Sequence, residues 1–144
     1  MSAHSLPEVL GGEAVLGRPV ASSGAMAELV REGLPAEALS RLAKRLDLRQ
    51  AEISAKIGIP QRTLTRRLQR HARLTAAESD RTVRLAQVYA NAVDMLGSED
   101  KAAQWLKTPN RALRGARPLD QLDTDPGVRE VEDVLGRIAF GVYS

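Results

Sequence analysis

At 144 residues with 43% apolar content, the chain is long enough for one generous domain or two small ones. Only 3% of residues are aromatic and none is cysteine, which favours close-packed helices over a β-sandwich and excludes a disulfide framework, a thiolate zinc site and a cysteine nucleophile. The net charge of +3 conceals an asymmetry, because residues 34–73 carry ten Lys or Arg against three Asp or Glu, while every other segment has an acidic excess.

Residues 1–24 mix Gly, Ser and Pro with weak apolar clusters and are expected to form a flexible N-terminal arm. They lack the basic start and apolar run of a secretory signal, and no window approaches the ~18 apolar residues of a membrane span. A cytoplasmic protein without a membrane partner is the expectation. From Leu34 the pattern turns helical: Pro35 suits a first helical position, and Leu39, Leu42 and Leu46 recur at spacings of three and four until Asp47. A second helix is expected over about 49–57, stopping at Gly58, and a third from Pro60 or Gln61 to about His71.

Thr75 and Glu78 have capping-box spacing and open a long helix reaching Leu96, with Leu85, Val88, Tyr89, Ala92 and Leu96 on one stripe. The breadth of that stripe marks this helix as a candidate for self-association. Ser98 is a good N-cap for a helix through Trp105, with Glu99 and Asp100 where the dipole favours acids and Trp105 expected in the core. Pro109 ends it. The turn-rich stretch that follows should bury Leu113, Leu119 and Leu122, turn at Gly115 and take its entry angles from Pro118 and Pro126. Asp125 and Pro126 read as N-cap and first position of a last helix whose stripe is Val128, Val131, Val134, Leu135, Ile138 and Val142. The expected fold class is all-α.

The basic segment, "LRQAEISAKIGIPQRTLTRRLQRHAR", has the helix, Gly turn, helix spacing of a helix-turn-helix, with Ile53, Ile57 and Leu64 able to lock the two helices together. The second helix of that arrangement lies in the DNA major groove. Its candidate DNA-binding residues are Gln61, Arg62, Thr63, Thr65, Arg66, Arg67 and Arg70. The chemistry suits them: Arg bonds bidentately to guanine or to phosphate, Gln to adenine, and a Thr methyl packs on thymine. No Asp or Glu occurs from Ile53 through Ala77 to offset attraction to a polyanion. The competing reading is a solvated arginine face or one that meets an acidic protein. Gln50, Ile53, Ser54, Ile57, Gly58 and Ile59 resemble the Xre and Cro family of helix-turn-helix proteins, from which Pro60 departs in place of the usual Ser or Thr cap.

The chain offers no catalytic pattern: there is no Ser-His-Asp arrangement, no phosphate loop and only two His, so no enzyme activity and no cofactor are expected. Asp123, Asp125 and Gly127 match only part of a calcium loop and lack its closing Glu, so no metal is expected. Trp105, Leu106, Pro109, Asn110, Leu113, Gly115, Pro118, Leu119, Asp120, Leu122, Thr124, Gly127, Val131, Leu135, Ile138 and Gly141 resemble the toxin-binding domain shared by Xre, MbcA and ParS antitoxins. Arg114, where a Gly is common, and Ala139, where an acid is common, depart from that pattern.

The resemblance implies an antitoxin that clamps a RES-domain toxin, an NAD-degrading enzyme, closing its active site. Operator DNA is a second partner and a homodimer is expected. The candidate toxin-binding residues are Asn110, Arg111 and Arg114 on the turns, with Arg129, Glu132 and Arg137 on the last helix. Phe140, Val142, Tyr143 and Ser144 at the chain end complete the set. The expected division is an arm over 1–24, a helix-turn-helix domain over 25–73, a connecting helix over 74–97 and a toxin-binding domain over 98–144. A stand-alone helix-turn-helix repressor with a C-terminal dimerisation domain is the alternative.

Overall fold

The computed structural model describes residues 5–141, so Val142, Tyr143 and Ser144 lie outside the described residues. Nine α-helices and two short 3-10 turns account for the regular structure there, and the only β-pairing among these residues is two isolated bridges. The fold class is all-α. No helix among them is long and apolar enough to cross a membrane. The chain divides into two compact units, one ending at Ala86 and the other beginning at Gln87.

The first unit is organised on α4 (Ala36–Leu46), which buries Ala36, Ala38, Leu39, Leu42, Ala43 and Leu46 on one face. Each leucine so buried is worth about 1.5–3 kcal/mol. Residues 5–17, where a flexible arm is expected, instead form α1 (Leu6–Val9) and α2 (Gly12–Leu16). Both helices pack on α4, with Val9, Leu10 and Leu16 buried. Then comes α3 (Ser23–Glu32), capped by Ser22 through the Ala25 amide at 3.1 Å and tied back to the preceding segment by Arg18, whose guanidinium donates to both Glu32 carboxylate oxygens.

Helices α5 (Gln50–Ile57) and α6 (Gln61–Gln69) follow α4 and pack on it and on each other through Ile53, Ile57 and Leu64. The ends of this group are laced together. Leu74 donates to the Leu34 carbonyl at 2.7 Å, Ala36 to that of Ala72 at 2.9 Å, and the buried Ser79 hydroxyl of α7 (Ala76–Leu96) accepts from Leu34 at 2.8 Å.

In the second unit, the later part of α7 contributes Val88, Tyr89, Ala92 and Val93 to a core completed by Ala102 and Leu106 of α8 (Glu99–Leu106) and by Val131, Val134 and Leu135 of α9 (Asp125–Ala139). Of the stripe read as a self-association surface, Leu85, Val88, Tyr89 and Ala92 are buried within the chain and Leu96 is half-buried, while Met95, 40% exposed, is the large apolar side chain that this helix leaves open. Leu113, Leu119 and Leu122 are buried as expected, whereas Trp105 is only half-buried. The N-cap of α9 is Thr124, not Asp125: its hydroxyl accepts from the Gly127 amide at 3.0 Å. Asp125 and Pro126 open the first turn, one residue earlier than the sequence pattern indicates.

Candidate nucleic-acid interface and partner-binding segment

Gly58 sits in the left-handed region at φ 83°, where a side chain is disfavoured, and turns the chain from α5 into α6. Pro60 occupies the N-cap of α6 at φ −55° and ψ 137°, and its carbonyl accepts from Leu64 at 3.0 Å. The proline supplies no capping side chain, yet the helix still starts at Gln61. Leu64 anchors α6 in the core, which turns the opposite side of the helix to solvent.

That side carries Arg62 and Arg66, and Gln61, Thr65 and the C-cap residue Arg70 are exposed beside it. The three arginines recur every four residues, and none has an ion-pair partner among the described residues. Thr63 is half-buried at the edge of this face. Gln50, at the start of α5, donates through Nε2 to the Thr65 hydroxyl at 2.7 Å and so ties the two helices on their exposed side. Its place in the motif was legible, but its partner was not, because the pair is separated by a turn of unknown geometry.

Arg67 is placed apart from the other predicted DNA-binding residues. Its guanidinium bonds the Glu78 carboxylate at the start of α7, with the two side chains 22% and 14% exposed. Glu78 also accepts from the Thr75 amide at 2.8 Å, while its own amide donates to the Thr75 hydroxyl at 3.1 Å, completing the capping box. Burial pushes the Glu78 carboxyl upward, but the Thr75 amide and the Arg67 guanidinium outweigh it and hold the carboxyl below its ordinary value. Arg81 braces the same region by donating to the last carbonyl of α5, that of Ile57, at 2.7 Å.

In the second unit, residues 110–116 form a closed loop. Asn110 exchanges backbone bonds with Ala116 and Gly115, at 3.0 and 2.9 Å, and its side chain accepts from the Ala112 amide at 2.9 Å. The Asn110 side chain therefore caps the 3-10 turn Arg111–Leu113. Arg114 closes the loop in the left-handed region at φ 61°, which explains why this position suits Gly. Its guanidinium reaches both Glu130 oxygens on α9, at 2.7 and 2.9 Å. That hydrogen bonding lifts the Arg114 pKa and lowers that of Glu130.

Arg117 pairs with Asp120 in the turn Pro118–Gln121, at 2.8 and 2.9 Å. Glu132 is half-buried and accepts from Asn91 at 2.8 Å, with Gln87 donating in turn to Asn91 at 3.1 Å. Arg111 and Arg129 are exposed without ion-pair partners among the described residues, Arg137 is exposed, and Phe140 is 82% exposed. The predicted set thus splits: Asn110, Arg114 and Glu132 are engaged within the unit, while Arg111, Arg129 and Phe140 project from it. Glu130 was missed, because nothing in the sequence signals a bond across sixteen positions.

An all-helical chain with a helix-turn-helix, exposed arginines along its second helix and a second helical unit later in the sequence has the architecture of the helix-turn-helix class of proteins. Comparison with known proteins sharpens this. Residues 25–87 match the antitoxin Xre-like helix-turn-helix domain, and residues 91–141 match the antitoxin Xre/MbcA/ParS C-terminal toxin-binding domain. The antitoxin Xre of Yersinia enterocolitica is 33% identical over 130 residues, covering 90% of this chain and 88% of the relative. The antitoxin Xre of Photorhabdus laumondii is 35% identical over the same lengths. Among solved structures, a chain of the M. tuberculosis MbcT-MbcA toxin-antitoxin complex superposes with a TM-score of 0.57 at 26% identity, over 76% of this chain and 96% of that one. The chain belongs to the Xre antitoxin family.

Proposed function

We propose that this antitoxin binds and neutralises a RES-domain, NAD-degrading toxin by covering its active site, and represses its own operon through α6. The toxin half of the reading is supported by the match of residues 91–141 to the toxin-binding domain and by the similarity to a chain of the MbcT-MbcA complex. Arg111, Arg129 and Phe140 supply charged and apolar groups that the unit itself leaves unused. The pre-ordered loop lowers the entropy lost on docking.

The observation that carries the DNA half is the face of Arg62, Arg66 and Arg70: exposed, regularly spaced and unpaired, on a helix whose first turn also presents Gln61. Regular cations at that spacing fit phosphates and guanine edges along a groove. A homodimer on a palindrome, with half-sites about one DNA turn apart, follows from the docking geometry of this motif.

Co-expression with the product of the adjacent gene tests the reading. Copurification, with growth and cellular NAD maintained only when this chain is present, is the expected result. A neighbour that neither binds nor harms the cell would overturn the toxin half and favour the stand-alone repressor.

A further inference from the structure

Arg114 combines two features that folding alone does not reconcile. It holds a left-handed backbone that a glycine would adopt without strain, and its side chain lies on the surface, where an ion pair with Glu130 returns little stability. Yet the contact is specific: both Glu130 oxygens are used, and Gln121 Oε1 accepts from the same guanidinium at 3.4 Å. One side chain therefore joins the 110–116 loop, the turn Pro118–Gln121 and α9. Arg111, the first residue of the loop's 3-10 turn, and Arg129, next to Glu130, are exposed cations without ion-pair partners among the described residues, on the two elements so joined.

We propose that Arg114 is a positioning residue, whose bond to Glu130 fixes the loop on α9 and so presents Arg111 and Arg129 as a preset pair of cations to an acidic patch on the toxin. The inference rests on the toxin-binding reading above. Backbone strain at a non-glycine residue is tolerated where a surrounding contact over-determines the geometry, and the Glu130 pair is that contact here. A partner then meets cations already in place, and little side-chain and loop entropy remains to be lost on binding. Carboxylates are the groups that two spaced guanidinium forks recognise.

The test uses the full chain and the product of the adjacent gene. Affinity, melting temperature and amide exchange in the free chain are measured for wild type, Arg114→Gly, the exchanged pair Arg114→Glu/Glu130→Arg, and Arg111→Ala/Arg129→Ala. Expected for Arg114→Gly are an unchanged or higher melting temperature, faster exchange at Gly115 and Ala116, and on the order of tenfold weaker binding. The exchanged pair should recover most of the affinity, and Arg111→Ala/Arg129→Ala should flatten its salt dependence. Wild-type affinity in Arg114→Gly would overturn the inference, as would an exchanged pair that binds no better than Arg114→Gly, which would make Arg114 a direct contact. A wild-type chain that does not bind the neighbouring product would instead overturn the toxin-binding reading itself.

Discussion

Gly127 and Gly136 lie on the same helix and predict opposite responses to the same substitution. A Cβ at Gly127 would run into the Gln121 carbonyl oxygen, because the first turn of α9 crosses the preceding 3-10 turn at backbone contact. Gly127→Ala should therefore cost about 1–3 kcal/mol. At Gly136 nothing lies within 4 Å of the added carbon, so Gly136→Ala should stabilise by about 0.5–1 kcal/mol through helix propensity. Chemical denaturation of both variants checks the signs.

Glu78 gives a pH prediction. Its carboxyl is held below its ordinary value in the folded chain, so the stability it contributes is complete above the unfolded carboxylate pKa of about 4.3 and is lost as pH falls through the lower folded value. The melting-temperature gap between wild type and Glu78→Gln should be widest near neutrality and close on acidification. A gap independent of pH would contradict the assignment. Neither the Arg67 bond to Glu78 nor the Asn91 bond to Glu132 was legible in the sequence. Each joins residues on different elements, and spacing along one helix carries no information about such pairs.

Along α6, three open arginines and one tied arginine make a prediction that composition alone would miss. Replacing Arg62, Arg66 or Arg70 by Ala should each lower the slope of log affinity for operator DNA against log salt by about 1. Arg67→Ala should leave that slope in place and lower the melting temperature, because it strips a half-buried partner from the α7 capping box. Salt titrations of the four variants distinguish the two kinds of arginine.

The helix-turn-helix was legible because local chemistry and long-range packing agree there. Gly58 takes the left-handed turn, Leu64 is buried, and the Thr75 and Ser98 caps form the bonds that their spacing implies. Helices α1 to α3 were not. They are short and punctuated by Gly11, Gly12, Gly17 and Gly24, so few apolar residues mark a period, and α1 and α2 gain their stability from burial of Val9, Leu10 and Leu16 rather than from propensity. The α9 cap was misplaced by one residue because Thr124 and Asp125 are both good caps, and only the backbone crossing at Gly127 decides between them.

For the whole molecule, the two family matches meet near the boundary between the compact units, which places the arginine face of α6 and the toxin-binding segment in separate bodies. We infer that the two activities are separable by mutation. The most direct measurement is occupancy of the chain's own promoter and cellular NAD, recorded side by side in cells carrying the adjacent gene with wild type, Arg62→Ala/Arg66→Ala, or a chain ended at Ala139. The arginine variant should lose promoter occupancy and still preserve NAD, and the shortened chain should do the reverse. Loss of both activities in either variant would contradict the division of labour.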